Sequence, residues 1–139
     1  MKFHELENVH KALAKARENS LQSIHHSARI GAVVMQKSVV LSAGFNQLGK
    51  THPYLREAGE YFHESLHAEM NAIFKIKNKE KLEGATVLVY REDRNGHLAM
   101  SRPCEMCQKL LQRYKVKKVI YTTNNGLVEE LVENFSVSK

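Results

Sequence analysis

His67-Ala68-Glu69-Met70-Asn71-Ala72-Ile73 and, further along, Pro103-Cys104-Glu105-Met106-Cys107 carry most of the information in this chain of 139 residues. Each segment stands where a polar stretch gives way to apolar residues at helical spacing. Met70, Ile73, Phe74 and Ile76 follow the first; Cys107, Leu110, Leu111 and Tyr114 follow the second. Pro103 is a favoured residue at a helix start. Both segments are therefore expected at helix N-termini, where unpaired N–H groups and aligned peptide dipoles concentrate positive charge. Cysteines placed there ionise readily to the thiolate form that a metal requires. Cys104 and Cys107, three residues apart, share one helix face and can grip one ion.

His67 and Glu69 divide the remaining work. A spacing of two does not stack side chains on a helix face, so the pair need not both be ligands. His67 would complete a metal site with Cys104 and Cys107 if the two helices pack on the same face of a sheet. Glu69 would then address a water molecule. No fourth protein ligand is evident, and a zinc ion with three keeps a position open, which separates a catalytic site from a structural one. Zinc lowers the pKa of such a water from about 15.7 towards 7. Taken singly, each residue has a blander reading: Glu69 as a solvated helix carboxylate, His67 as a surface imidazole, the C-x-x-C as a redox dithiol. A dithiol would open a helix after a strand in a thioredoxin-like unit, and it leaves His67 and Glu69 without a role. Two cysteines in one C-x-x-C exclude a disulfide scaffold. Occurring together in this order, the four residues point to a catalytic zinc, with a structural zinc module as the lesser alternative.

Working outward, Leu6, Val9, Leu13, Ala16, Leu21, Ile24 and Ala28 recur at helical spacing, predicting a first helix over about 5–27, with a break near Asn19. Two β-rich runs, 31–35 and 39–45, flank Gln36-Lys37-Ser38 and predict a hairpin. Residues 46–66 are polar, with Gly49, Pro53 and Gly59 as breakers, and predict a long loop containing one short helix. Loops of that length in compact domains are usually functional. A second helix is expected to about Asn78, a strand over 86–90, a charged loop over 91–102, a third helix carrying both cysteines, and a strand over 116–122. Asn125-Gly126 is a hairpin signal that would make 127–131 an antiparallel fifth strand. Leu127, Val128, Leu131, Val132 and Phe135 also fit a helix face, and the hairpin is preferred.

Nothing in the chain divides it, so residues 1–139 are expected to form a single domain. Apolar content of 42% and charged content of 26% are ordinary for a globular protein. No apolar run approaches the ~18 residues of a membrane span. The first residues lack the apolar stretch of a secretory signal, so a cytoplasmic location and no membrane partner are expected. The net charge of +6 favours anionic partners, whether phosphates or nucleic acid. His4, His10, His25, His26 and His97 read as surface groups, while His52 and His63 could line a pocket.

These motifs identify the chain as resembling the cytidine and deoxycytidylate deaminase superfamily, whose signature is H-x-E followed by P-C-x-x-C. The resemblance runs over about residues 29–123. It includes Arg29-Ile30-Gly31-Ala32-Val33-Val34, Gly44-Phe45-Asn46, Gly84-Ala85-Thr86 and Val116-Lys117-Lys118-Val119 besides the two segments quoted first. It implies a three-layer α/β/α domain with a mixed, about five-stranded sheet. It implies a zinc hydrolase acting on the C–N bond of a cyclic amidine, with one catalytic zinc on His67, Cys104 and Cys107. Glu69 would shuttle protons between water, the ring nitrogen N3 and the departing amine. Asn46 would touch the substrate's sugar, and the backbone at Ala68 and Arg102 would hold the base edge and the amine. The segment from His67 to Ile73 is most similar to deoxycytidylate deaminases, so dCMP is the first substrate expected, among cytosine nucleotides and nucleosides. A homo-oligomer is also implied.

This chain departs from that pattern in three places. Deoxycytidylate deaminases often carry additional Cys and His ligands for a second zinc ahead of the catalytic histidine, and no cysteine occurs there. Arg102 before the proline is unusual, and Ser101-Arg102 could hold a phosphate. A hairpin ending resembles free-nucleoside deaminases. The alternative substrate is a polynucleotide, single-stranded DNA or tRNA, which the basic charge favours and the absence of Trp disfavours.

Overall fold

The structure, a computed structural model, describes residues 3–23, 29–48 and 65–135. Its first element is helix α1 (Phe3–Ser20), followed by strands β1 (Arg29–Gln36) and β2 (Val39–Phe45). The short strands β3 (Gln47–Leu48) and β4 (Ser65–Leu66) pair as a separate ribbon at the two ends of the predicted long loop. Helix α2 (Ala68–Phe74), β5 (Thr86–Glu92), α3 (Glu105–Arg113), β6 (Lys118–Thr123) and β7 (Gly126–Leu131) complete the order.

The main sheet runs β2-β1-β5-β6-β7. Neighbours are antiparallel except β5 and β6, whose parallel pairing requires the crossover that α3 supplies. Period-two alternation assigns the side chains to two layers. Ala32, Val34, Val87, Val89, Val119 and Tyr121 face α2 and α3, where Met70, Ile73, Leu110 and Leu111 close one core. Val33, Met35, Leu88, Tyr90 and Ile120 face the other way and meet Val9, Ala12 and Ala16 of α1. The result is the three-layer arrangement with a mixed five-stranded sheet that the resemblance implied, and the fifth strand is antiparallel to the fourth. Its turn lies one residue earlier than predicted, at Asn124-Asn125, and Gly126 takes a φ of 112° that favours glycine.

Local chemistry explains where elements stop short of prediction. Helix α1 ends at Ser20 because Asn19 and Ser20 turn their side chains back onto helix carbonyls: Asn19 Nδ2 donates to Lys15 O and Ser20 Oγ to Arg17 O. Helix α2 ends at Phe74, and Asn78 instead caps a short 3₁₀ turn, its side chain accepting from the Glu80 N–H. The first hairpin needs a turn of two residues, Lys37-Ser38, with Lys37 in the left-handed region.

Gly31 determines how closely α1 can lie on the sheet. A Cβ there would sit 1.9 Å from Ala16 O and 2.7 Å from Ser20 N, both backbone atoms that cannot swing aside. Gly31→Ala is expected to force the helix off β1 and cost at least the ~1–3 kcal/mol of ordinary overpacking. A urea midpoint unchanged from wild type would contradict this packing.

Candidate active site

The two motif segments meet at one end of the sheet. Neither His67 nor Cys104 is inside its helix. Each is the residue immediately before one, held in extended backbone (φ −69°, ψ 150° at His67; φ −67°, ψ 167° at Cys104). The predicted third helix thus begins after Cys104 rather than at Pro103. This geometry resolves the spacing problem: with His67 extended and Glu69 in the first turn, both line one cavity despite standing two residues apart. Cys107 follows from the first turn of α3 and is fully buried.

His67, Cys104 and Cys107 offer three donor atoms that lie within 4.8 Å of one another. His67 Nδ1 is 3.6 Å from Cys104 Sγ and 3.4 Å from Cys107 Sγ. Zinc with bonds of about 2.3 Å to sulfur and 2.0–2.1 Å to nitrogen at tetrahedral angles would separate those atoms by about 3.6 Å. The three side chains therefore fit the ion.

The electrostatics agree with the donor set. The Cys104 thiol is lowered to about 4, because hydrogen bonds from Cys107 and from His67 outweigh desolvation. Cys107 is pushed well up, by the bond it gives Cys104 and by burial. The two cysteines share one charge, and a cation is what would let both ionise. Glu69 is 4% exposed, and that burial raises its carboxyl above the usual range; His67 opposes the shift and Cys104 adds to it.

A cavity of about 250 Å³ opens beside this cluster, lined by Ile30, Asn46, His67, Ala68, Glu69, Arg91, Met100, Ser101, Arg102 and Cys104. Asn46, Ala68 and Arg102, singled out from the sequence for substrate contact, all stand on its wall. Asn46 is buried at the end of β2, where Oδ1 accepts from Ile30 N at 3.0 Å and its own N–H donates to Ile30 O at 3.1 Å. The Arg102 side chain turns to Glu130, with Nε to Oε1 at 2.7 Å and Nη2 to Oε2 at 3.2 Å. The Ser101 hydroxyl is buried against the Val89 carbonyl and Thr122. Both side chains thus have partners within the fold. His10 and His97 are exposed, as expected, whereas His25, His26, His52 and His63 lie outside the described residues.

The sequence did not single out Arg91, Met100 or Gln108. Arg91 stands one residue before the end of β5 at the cavity wall, and Met100 lies in the charged loop, which folds back through a Glu92–Leu98 bridge. Gln108 is buried and donates from Nε2 to the Pro103 carbonyl at 2.8 Å. A glutamine four residues after Cys104 reads as a solvated helix position, so nothing in the sequence announced it.

The family model described as the cytidine and deoxycytidylate deaminase zinc-binding region matches residues 4–123. No curated protein matches the chain at a significant level. Among solved structures, dCMP deaminase from the cyanophage S-TIM5 in apo form is similar at a TM-score of 0.55 and 24% identity, over 87% of this chain and 84% of that one. The same phage enzyme in complex with dCMP and dUMP gives 0.54 and 23%, over 87% and 82%. Cytidine deaminase from Mycobacterium leprae gives 0.55 and 20%, over 88% and 92%. These likenesses concern the fold; the family follows from the match that spans most of the chain and includes both motif segments. The chain belongs to the cytidine and deoxycytidylate deaminase family, zinc-dependent enzymes that hydrolytically deaminate cytosine compounds.

Proposed function

We propose that the chain deaminates a cytosine mononucleotide, with dCMP the first choice, by an acid/base cycle centred on Glu69. The observation that carries this reading is a buried carboxyl beside three zinc-ligating side chains on the wall of a cavity of about 250 Å³.

When bound, zinc supplies a water molecule acidic enough to act as a nucleophile near neutral pH. Glu69 accepts a proton from that water and delivers it to N3 of the ring, making C4 electrophilic. The water oxygen bonds to C4. Glu69 then carries the second proton to the exocyclic amine, the C4–N bond breaks, and ammonia leaves with the uracil product behind. The raised pKa of Glu69 suits a group that must both take and give protons near pH 7. Asn46, held by its two bonds to Ile30, presents a rigid polar edge to the sugar.

The choice of a 5′-phosphate rests on Arg91, which lines the cavity near the end of β5 and whose Nη1 donates to the Met100 carbonyl at 3.3 Å. The phage enzyme of similar fold is known in complex with dCMP and dUMP. Deamination of cytidine, deoxycytidine, CMP, dCMP, dCTP and single-stranded oligonucleotides tests the reading directly. The expected result is highest kcat/KM with dCMP. Turnover of oligonucleotides alone, lost at raised salt, would replace it with the polynucleotide alternative. Arg91→Met is expected to raise KM for dCMP by about 10-fold or more, the worth of a hydrogen bond to a charged group, and to leave KM for deoxycytidine near wild type. Equal effects on both would remove Arg91 from phosphate recognition.

A further inference from the structure

The segment 101–104, which walls the cavity and ends in the ligand Cys104, is held residue by residue. The Ser101 hydroxyl joins the Val89 carbonyl at 2.9 Å and Thr122 Oγ1 at 2.9 Å, and accepts from the Thr122 N–H at 2.9 Å. The Pro103 carbonyl accepts from Gln108. Arg102, between them, reaches out of the segment altogether. Its guanidinium forms two bonds to Glu130 on β7 and lies 5.2 Å from the centre of the Phe135 ring. Glu130 also accepts from the Tyr121 hydroxyl on β6. Phe135 is buried, and its carbonyl and that of Val132 accept from Gln112 on α3. The C-terminal hairpin and tail thus form a bracket whose inner face grips the residue two before a metal ligand.

We propose that Glu130 is a positioning residue for the zinc site: by clamping Arg102, it sets the backbone that delivers Cys104 to the ion and walls the substrate cavity. The pair is partly exposed, with side-chain exposures of 43% for Arg102 and 26% for Glu130, so as an ion pair it contributes little to stability. Its geometry is nonetheless the forked, two-bond kind that fixes orientation. Partners that orient metal ligands from behind are typically worth about 10–100-fold in metal affinity or activity when removed. Glu130 departs from that pattern in one respect: it acts through the backbone of a neighbouring residue rather than on the ligand itself. The inference rests on the zinc assignment and is independent of which cytosine substrate is used.

Glu129, the adjacent residue on β7, provides the control. It makes a comparable ion pair with Lys118 at 3.0 Å, at the same edge of the sheet, without touching the segment 101–104. The test compares zinc-loaded wild type, Glu130→Ala, Glu130→Gln and Glu129→Ala in three readouts: release of zinc to a chromophoric chelator, kcat and KM, and thermal unfolding. Glu130→Ala is expected to release zinc about 10-fold faster and lose about 10-fold in kcat, with KM within about threefold. Glu130→Gln, whose single amide oxygen can keep one of the two bonds to Arg102, is expected between Ala and wild type; it also serves if the alanine variant does not fold. Glu129→Ala is expected to match wild type in zinc release and kcat. Glu130 variants that match Glu129→Ala in both readouts, or whose losses follow the unfolding temperature alone, would overturn the proposal. A wild-type chain that takes up no zinc would overturn the zinc assignment beneath it.

Discussion

Glu69→Gln is expected to keep the fold and bind one zinc per chain, yet lose turnover by about 10²–10⁴-fold, the range of acid/base assistance. The substitution preserves shape and removes only the ability to take and return a proton. Its effect on stability separates it from structural damage. The Glu69 carboxyl is buried and its pKa lies above the ordinary carboxylate value because of that burial. A group whose folded pKa is raised costs stability as pH rises through its unfolded pKa, and the cost levels off above the folded one. Metal-free Glu69→Gln should therefore match wild type in acid and exceed it in unfolding temperature near pH 7. Zinc stoichiometry, an ammonia-release assay and thermal unfolding at two pH values check the whole statement. Substantial turnover in this variant would move the acid/base role to another residue. A variant that is inactive but also unstable near neutrality would show that the carboxyl serves the fold instead.

Legibility from sequence followed how local the determining interaction is. The strands were readable because 31–35 and 86–90 are β-rich runs of consecutive residues, whereas the three-layer arrangement came from the resemblance. The metal donors were readable for a similar reason: Cys104 and Cys107 lie within one turn, and His67 heads a helix that packs on the same sheet face. The exact placement of His67 and Cys104 one residue outside their helices was not, since Pro103 fits the first helical position equally well. The break expected near Asn19 is where α1 ends, because the side chains of Asn19 and Ser20 capture carbonyls, although Leu21 continues the apolar spacing; residues 24–27 of the predicted helix lie outside the described residues. Least visible were interactions that join distant parts of the chain. Glu130 is 28 residues from Arg102; the sequence singled out Arg102 for the substrate or a phosphate, and nothing in it pointed to a partner on β7. Gln108 and Asn71 read as polar helix positions, yet Gln108 holds the Pro103 carbonyl and Asn71 Oδ1 accepts from Phe45 N at 3.1 Å. A polar residue that fixes a loop leaves no periodicity behind it, and such residues surround this site.

Cys107→Ser is expected to abolish zinc binding and, with it, turnover. The side chain is fully buried and meets His67 Nδ1 at 3.4 Å, at the centre of the three-donor cluster. A serine hydroxyl keeps nearly the same volume but does not ionise near pH 7, so the loss belongs to the ligand and not to packing. Binding to the folded form alone stabilises a protein by RT ln(1 + [L]/Kd), about 4 kcal/mol at 1,000 times Kd. A strong chelator should therefore lower the unfolding temperature of wild type and leave that of Cys107→Ser unchanged. The thiol energetics add a sign that can be measured. Cys104 ionises at about 4, so at pH 7 it is already a thiolate, while Cys107 is raised and still carries its proton. Zinc must displace that proton, and the two cysteines together should release about one proton per ion bound. Apparent affinity should consequently fall by at least about 10-fold for each unit of pH lost below neutrality, and more steeply wherever the His67 imidazole, which must be neutral to ligate, also takes a proton. Calorimetric titrations in two buffers of different ionisation enthalpy measure the protons directly. Release of none would mean that Cys107 does not ligate as a thiolate, and the three-donor site would have to be redrawn.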